Sequence, residues 1–176
     1  RDYWAERETG TLRRLVSVPG QLLNFIMGKA LAAAVVIGGI ALVTLTLGFA
    51  YHGVAWIKLP SATLWVTTGG VALFVWLGAV AMLFPNRKAA ALVTTILLFP
   101  LMMAGGSFFP FAALPEWLQD LGRMVPNGFV VDRLSTALSS ASAWSYDAQS
   151  WLVLAGMLIS GFVLCSWRLG AGFARR

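Results

Sequence analysis

Side chains able to do chemistry are scarce in this chain, and they crowd into one place. Arg1, Asp2, Glu6, Arg7, Glu8, Arg13 and Arg14 all fall near the start, out of 13 basic and 7 acidic side chains in the whole sequence. A cluster of mixed sign suits contact with another charged surface; it supplies neither an activated nucleophile nor an acid/base pair. Elsewhere the candidates stand alone: His52, the one histidine, Cys165, the one cysteine, and the adjacent Asp132–Arg133. A single cysteine forms no internal disulfide, and Cys165 has no metal-ligating neighbours in sequence. His52 lies with Tyr51 and Trp56, a group of the kind that settles at a membrane–water interface; the alternative is a pH or substrate role. Asp132–Arg133 is the best charge pair of its region and reads first as structural or solvated, second as functional. No HExxH, GxSxG or GxxxxGK[ST] pattern occurs. Every acidic residue lies outside the long apolar runs, so no carboxylate pair is available within them for a proton relay.

The elements that must position these residues are almost wholly apolar. Hydrophobic residues make up 59% of the sequence and charged residues 11%, against about 25% charged in soluble domains. Ala30–Ile57, Leu59–Asn86 and Ala89–Pro115 carry no charge, and Ala148–Trp167 is a fourth such run. Each reaches the roughly 20 residues a helix needs to cross a hydrocarbon core of about 30 Å. The expected class is therefore all-α, a polytopic transmembrane helical bundle with four spans, because a helix satisfies its own backbone inside lipid. The formal charge of +6 reports orientation and not a nucleic-acid partner. With four spans, Arg1, Arg7, Arg13, Arg14, Lys29, Arg87, Lys88, Arg168, Arg175 and Arg176 share one side, against Lys58, Arg123 and Arg133 on the other. That asymmetry places both ends in the cytoplasm. The chain begins with Arg and shows no signal-peptide pattern, so it is expected to start inside a longer protein.

Spans are expected at about 22–50, 64–84, 89–106 and 149–169, within a transmembrane region 22–176. In the first, Ala30, Ala34 and Gly38 recur every four residues, the spacing that lets helices approach closely; Gly156 and Ser160 offer a similar face in the last. Pro100 is expected to kink the third. Ahead of them, residues 1–21 form an amphipathic segment. Gly10 breaks it, Thr9 or Thr11 caps a new turn, and Leu12, Leu15 and Val16 fall on one face until Pro19 stops the helix. Between the third and fourth spans, Leu114, Trp117, Leu118, Leu121, Met124 and Val125 form one stripe opposite Glu116, Gln119, Asp120 and Arg123. A helix of this length rises only about 15 Å, so it is expected to lie in the outer interface. Pro126–Asn127–Gly128 then signals a turn, followed by a short helix over Phe129–Leu138 that dips back as a hairpin.

Two stretches resemble a known family. "ERETGTLRRLVSVP" with Gly28–Lys29 resembles the cytoplasmic coupling segment of type-2 ATP-binding cassette (ABC) transporter permeases, through Glu6, Glu8, Gly10, Thr11, Leu12, Leu15, Pro19, Gly28 and Lys29. "GGSFFPFAALPEWLQDLGRMVPNGFVVDRL" resembles the outer re-entrant segment that precedes the last span, through Gly105, Gly106, Pro110, Pro115, Trp117, Pro126 and Arg133. The two occur in the family's order, and the likeness extends over the C-terminal two-thirds of that pattern; the family's N-terminal interfacial helix and first two spans have no counterpart.

The resemblance implies the permease subunit of an ATP-driven exporter in the cytoplasmic (inner) membrane, itself without catalytic residues, metal or cofactor. ATP would be bound by a partner nucleotide-binding subunit, and a second permease half would complete a homo- or heterodimer. Residues 1–21 would be the coupling helix, with Glu6, Arg7, Glu8, Gly10, Thr11, Leu12, Arg13 and Leu15 at the ATPase contact, and residues of about 107–140 the outer re-entrant segment. The alternative for the opening helix is binding of anionic membrane lipid through Arg7, Arg13 and Arg14, against which Glu6 and Glu8 argue. The alternative for the whole chain is a non-transporting membrane scaffold or assembly factor.

Overall fold

A computed structural model describes residues 21–84, 86–139 and 148–174. Among the described residues the chain is helical, with no strand: α1 (Gln21–His52), α2 (Leu59–Ala81), α3 (Arg87–Ala104), α4 (Glu116–Met124), α5 (Pro126–Ser139) and α6 (Ala148–Ala174), plus two short 3-10 turns. Four helical stretches, Ile26–His52, Trp56–Ala81, Arg87–Ala104 and Ala148–Arg168, are long and apolar enough to cross a membrane. They carry polar hydroxyls without penalty. Thr44, Thr63, Thr67 and Thr68 each donate to the carbonyl four residues earlier in their own helix, so none is left unsatisfied in an apolar surround.

The boundaries follow local chemistry. Helix α1 ends where Gly53 takes φ +65° and Val54 N–H reaches back to the Phe49 carbonyl at 3.1 Å, a glycine C-cap. The 3-10 turn Trp56–Lys58 leads straight into α2, which starts at Leu59, ahead of the Leu64 read from the apolar run, with Pro60 in its first turn. Helix α3 opens on Asn86, whose Oδ1 accepts from Ala89 N–H at 2.7 Å. That cap places Arg87 and Lys88 in the first turn, both exposed. Pro100 lies inside α3.

Helix α2 is the axis of the bundle. α1 runs antiparallel to it: Ile26 and Ala30 meet Val75 and Ala79 at one end, and Ile37 meets Gly70 further along, where a Cβ would lie 2.7 Å from Ile37 Cγ2. The Ala30/Ala34/Gly38 face does pack here, with Ala30 buried, Ala34 against the same cluster and Gly38 beside Thr67. α6 runs parallel to α2. Trp151 packs edge-on to Trp65 with centroids 4.9 Å apart, Trp76 Nε1 donates to the Met157 carbonyl at 2.8 Å, and Cys165 Sγ donates to the Val75 carbonyl at 3.4 Å.

The close approach on α6 is at Gly161, where a Cβ would come 2.8 Å from Trp76 Cδ1; Gly156 is exposed with nothing near it. The expectation of a Gly156 packing face is thus corrected by five positions along the helix, to the residue that faces the indole. α3 is the outlier: of its residues only Ala90 is buried, and Leu92, Ile96 and Phe99 are exposed.

Candidate functional site

Of the two stretches singled out in the sequence, the opening one, with Glu6, Arg7, Glu8, Gly10, Thr11, Leu12, Arg13 and Leu15, lies outside the described residues. The other is built from the end of α3, the 3-10 turn Phe111–Ala113, α4 and α5.

Helix α3 stops at a Schellman-type cap. Gly106 adopts φ +72°, its N–H bonds to the Met103 carbonyl at 3.4 Å, and Ser107 N–H bonds to the Met102 carbonyl at 3.1 Å. A side chain at Gly106 would be strained by that φ and would also meet the Phe111 ring. Gly105, Gly122 and Gly128 then bring three helix ends together. A Cβ on Gly122 would strike the Ala104 carbonyl, and one on Gly128 would strike the Gly122 carbonyl, with Gly105 Cα at 3.0 Å. Asn127 Nδ2 donates to Ser107 Oγ at 3.0 Å and ties α5 back to the loop.

The junction between α4 and α5 departs from the turn read at Pro126–Asn127–Gly128. Those residues form the first turn of α5, and Pro126 is fully buried there. Proline is favoured at that position because its missing N–H has no intrahelical partner anyway. It is Val125, extended at φ −97° and ψ 139°, that turns the chain, as a residue before proline is pressed to do.

Helix α4 has three faces where the sequence suggested two. Leu118 and Gly122 face inward, and Glu116, Asp120 and Arg123 form the charged side. Trp117, Leu121 and Met124, exposed by 65%, 51% and 71%, form an apolar side covered by no other part of the described chain. Pro115 immediately precedes α4 and Pro110 precedes the 3-10 turn, both exposed. Gln119 Nε2 donates to the Leu114 carbonyl at 2.8 Å, which closes the start of the helix.

The charges sort differently from their order in sequence. Asp132 pairs with Arg123, Oδ2 to Nε at 3.4 Å, and not with its neighbour Arg133. Adjacent residues on a helix point about 100° apart, so they cannot face each other. Arg123 also approaches Asp120 Oδ1 at 3.7 Å and lies 5.9 Å above the Phe111 ring. Arg133 instead lies 5.7 Å over the Phe129 ring, a cation–π contact.

Helix α5 runs back along α2, antiparallel to it. Val130 crosses α2 at Gly69, where a Cβ would collide with Val130. Trp65, 0% exposed, donates from Nε1 to the Val130 carbonyl at 3.2 Å. At the far end Lys58 Nζ donates to the Ala137 carbonyl at 3.3 Å, a cation satisfying a last-turn carbonyl at the negative end of a helix.

Among the described residues no group of His, Cys, Asp and Glu could hold a metal ion. Sequence reasoning missed Trp65, Lys58, Gly122 and the Arg123–Asp132 pair. A signal existed for Trp65: an indole N–H in the middle of an apolar run must find an acceptor, and a carbonyl of a neighbouring helix is the nearest supply.

The chain matches the family model described as ABC-2 family transporter protein, over residues 3–167. No curated protein and no solved structure matches it. Its four apolar helices make it a multi-pass membrane protein. The match takes in both singled-out stretches and all of α1 to α5, and on that span the chain belongs to the ABC-2 family of transporter membrane proteins, as a type-2 ABC permease.

Proposed function

We propose that the chain is the membrane-spanning permease part of an ATP-driven exporter, moving its substrate across the cytoplasmic membrane with energy from an associated nucleotide-binding subunit. The observation that carries this reading is the family match across residues 3–167, over a bundle with four helices long and apolar enough to cross a membrane. A transporter without ion or proton machinery of its own needs an external energy source. The opening segment is the element suited to receive it: Leu12 and Leu15 give an apolar docking face, Glu6, Glu8 and Arg13 the polar contacts, and Gly10 the break before it. A second permease half completes the path, and both chain ends lie in the cytoplasm. On the outer side α4 and α5 enter the membrane without crossing it, with Trp117, Leu121 and Met124 against lipid.

The test is Leu12→Asp in the full-length protein. A buried leucine contributes about 1.5–3 kcal/mol, so its loss weakens docking roughly tenfold to a hundredfold. The expected result is loss of ATPase co-purification and of ATP-driven export at normal permease abundance. If both survive, the segment is not the docking site and a scaffold role becomes the better reading.

A further inference from the structure

The helices of the bundle are not held alike. α2 is tied to α6 by the bonds from Trp76 Nε1 to the Met157 carbonyl and from Cys165 Sγ to the Val75 carbonyl. It is tied to α5 by Trp65 Nε1 on the Val130 carbonyl and Lys58 Nζ on the Ala137 carbonyl. α1 meets it closely through small residues, with Gly38 beside Thr67 and Ile37 over Gly70. α3 has neither kind of hold along most of its length. Among the described residues no side chain from Arg87 to Leu101 hydrogen-bonds another element; Thr94 Oγ1 donates to the Ala90 and Ala91 carbonyls of its own helix. Lipid supplies no hydrophobic drive to press one apolar helix against another, so close packing and interhelical bonds are what keep a helix in place.

The ends of α3 are fixed all the same. At its start Ala90 is buried, and only residues 82–86 separate the helix from the end of α2. At its finish Asn127 Nδ2 reaches Met102 Sδ at 3.8 Å, and the close approaches at Gly105, Gly106 and Gly122 lock the cap against α4, α5 and the Phe111 ring. Between these ends Leu92, Ile96 and Phe99 are exposed. The backbone is weakened in the same stretch. Pro100 has no N–H for the Ile96 carbonyl and its ring crowds that carbonyl, the common origin of a helix kink. Thr94, bonded back onto its own helix, marks a second point where bending is eased.

We infer that α3 is the moving helix of the bundle: pinned at Ala90 and at Ala104–Gly106, it bows away from α2 over Leu92–Phe99 and flexes at Pro100. α1, α2, α5 and α6 stay together as one body. The bow uncovers the half-buried side of α3, at Val93, Thr94 and Leu97, and opens the bundle toward lipid between α2 and α3. This concerns motion alone and holds whether or not an ATPase drives export through the chain.

The experiment is double electron–electron resonance on the full-length protein in lipid nanodiscs, without any ATPase. Spin-labelled chains are diluted among unlabelled ones, so that distances are read within one chain. Cys165→Ser keeps a donor toward Val75 and clears the background. Each label pair then joins an exposed position of α3 to one of α6: Lys88→Cys with Trp167→Cys, Ile96→Cys with Ile159→Cys, and Met103→Cys with Leu152→Cys. The expected result is a distance distribution for 96–159 clearly broader than those for 88–167 and 103–152, narrowed to their width by Pro100→Ala. Equal widths in the three pairs overturn the bow, and broad distributions at 88–167 or 103–152 overturn the pinned ends. A 96–159 distribution that stays broad with Pro100→Ala overturns Pro100 as the flexing point. Should Pro100→Ala give no folded protein, the three pairs in the chain that keeps Pro100 still decide whether α3 bows.

Discussion

Trp65 and Val130 are joined twice: the indole N–H donates to the Val130 carbonyl at 3.2 Å, and the Val130 side chain fills the space left by Gly69, one turn from Trp65 on α2. The short helix α5 is thereby seated on the bundle axis, with Phe129 and Trp151 also against the same indole. Trp65→Ala should cost about 3–5 kcal/mol through the cavity it leaves. Trp65→Phe keeps most of the packing and loses one interhelical bond, worth about 0.6 kcal/mol on average in a membrane. Thermal unfolding of the purified full-length protein in detergent checks the order; equal losses would mean that the indole is not packed as described.

The glycine junction gives a sharper contrast. Gly122→Ala drives a methyl into the Ala104 carbonyl, and backbone cannot give way as a flexible side chain can. A loss of about 1–3 kcal/mol is expected. Gly156→Ala meets nothing and should leave stability unchanged or raise it by up to about 1 kcal/mol, since alanine favours a helix. The same melting measurement compares them, and a stable Gly122→Ala protein would remove the close approach of α3 and α4.

A double-mutant cycle decides the charge pairing. Arg123→Ala and Asp132→Asn should couple by less than about 1 kcal/mol, because the arginine side chain is 46% exposed and solvent screens the pair. Arg133→Ala with Asp132→Asn should show no coupling. Coupling confined to Arg133 would restore the sequence-neighbour pairing and contradict the structure.

Orientation is tested by labelling single cysteines at Asn86 and Asp120, both exposed, after Cys165→Ser. An impermeant thiol reagent added to intact cells should label position 120, and position 86 only after permeabilisation. The reverse pattern would invert the bundle.

Much of the architecture was legible because lipid imposes it. Four long charge-free runs admit few structures other than helices, and Ala30, Ala34 and Gly38 marked the face of α1 that meets α2. What could not be read was which helix is central. In water, a helix shows its buried side by the polarity of the other; in lipid both sides are apolar, so α2 carries no stripe to distinguish it from α1. The same loss of contrast hid Gly161 behind Gly156. The α4–α5 segment was legible in part: α4 is charged on one side and so revealed its amphipathic character. The partner of Asp132, nine positions away on another helix, is a matter of folding in space, and adjacency along the chain pointed to Arg133.

The cap on α3 has a further meaning. Asn86 fixes the helix start so that Arg87 and Lys88 occupy its first turn, where unpaired N–H groups already make the end electropositive. Folded-state electrostatics alone would place acids there. Two cations in that turn oppose the helix they begin; on the orientation proposed above, they serve instead to hold the loop before α3 in the cytoplasm during insertion. Replacing both with glutamate should yield a helix that is better satisfied once formed and a population of chains inserted the wrong way round. On that orientation, topogenesis and stability are separate demands on these two positions, and at α3 they point in opposite directions.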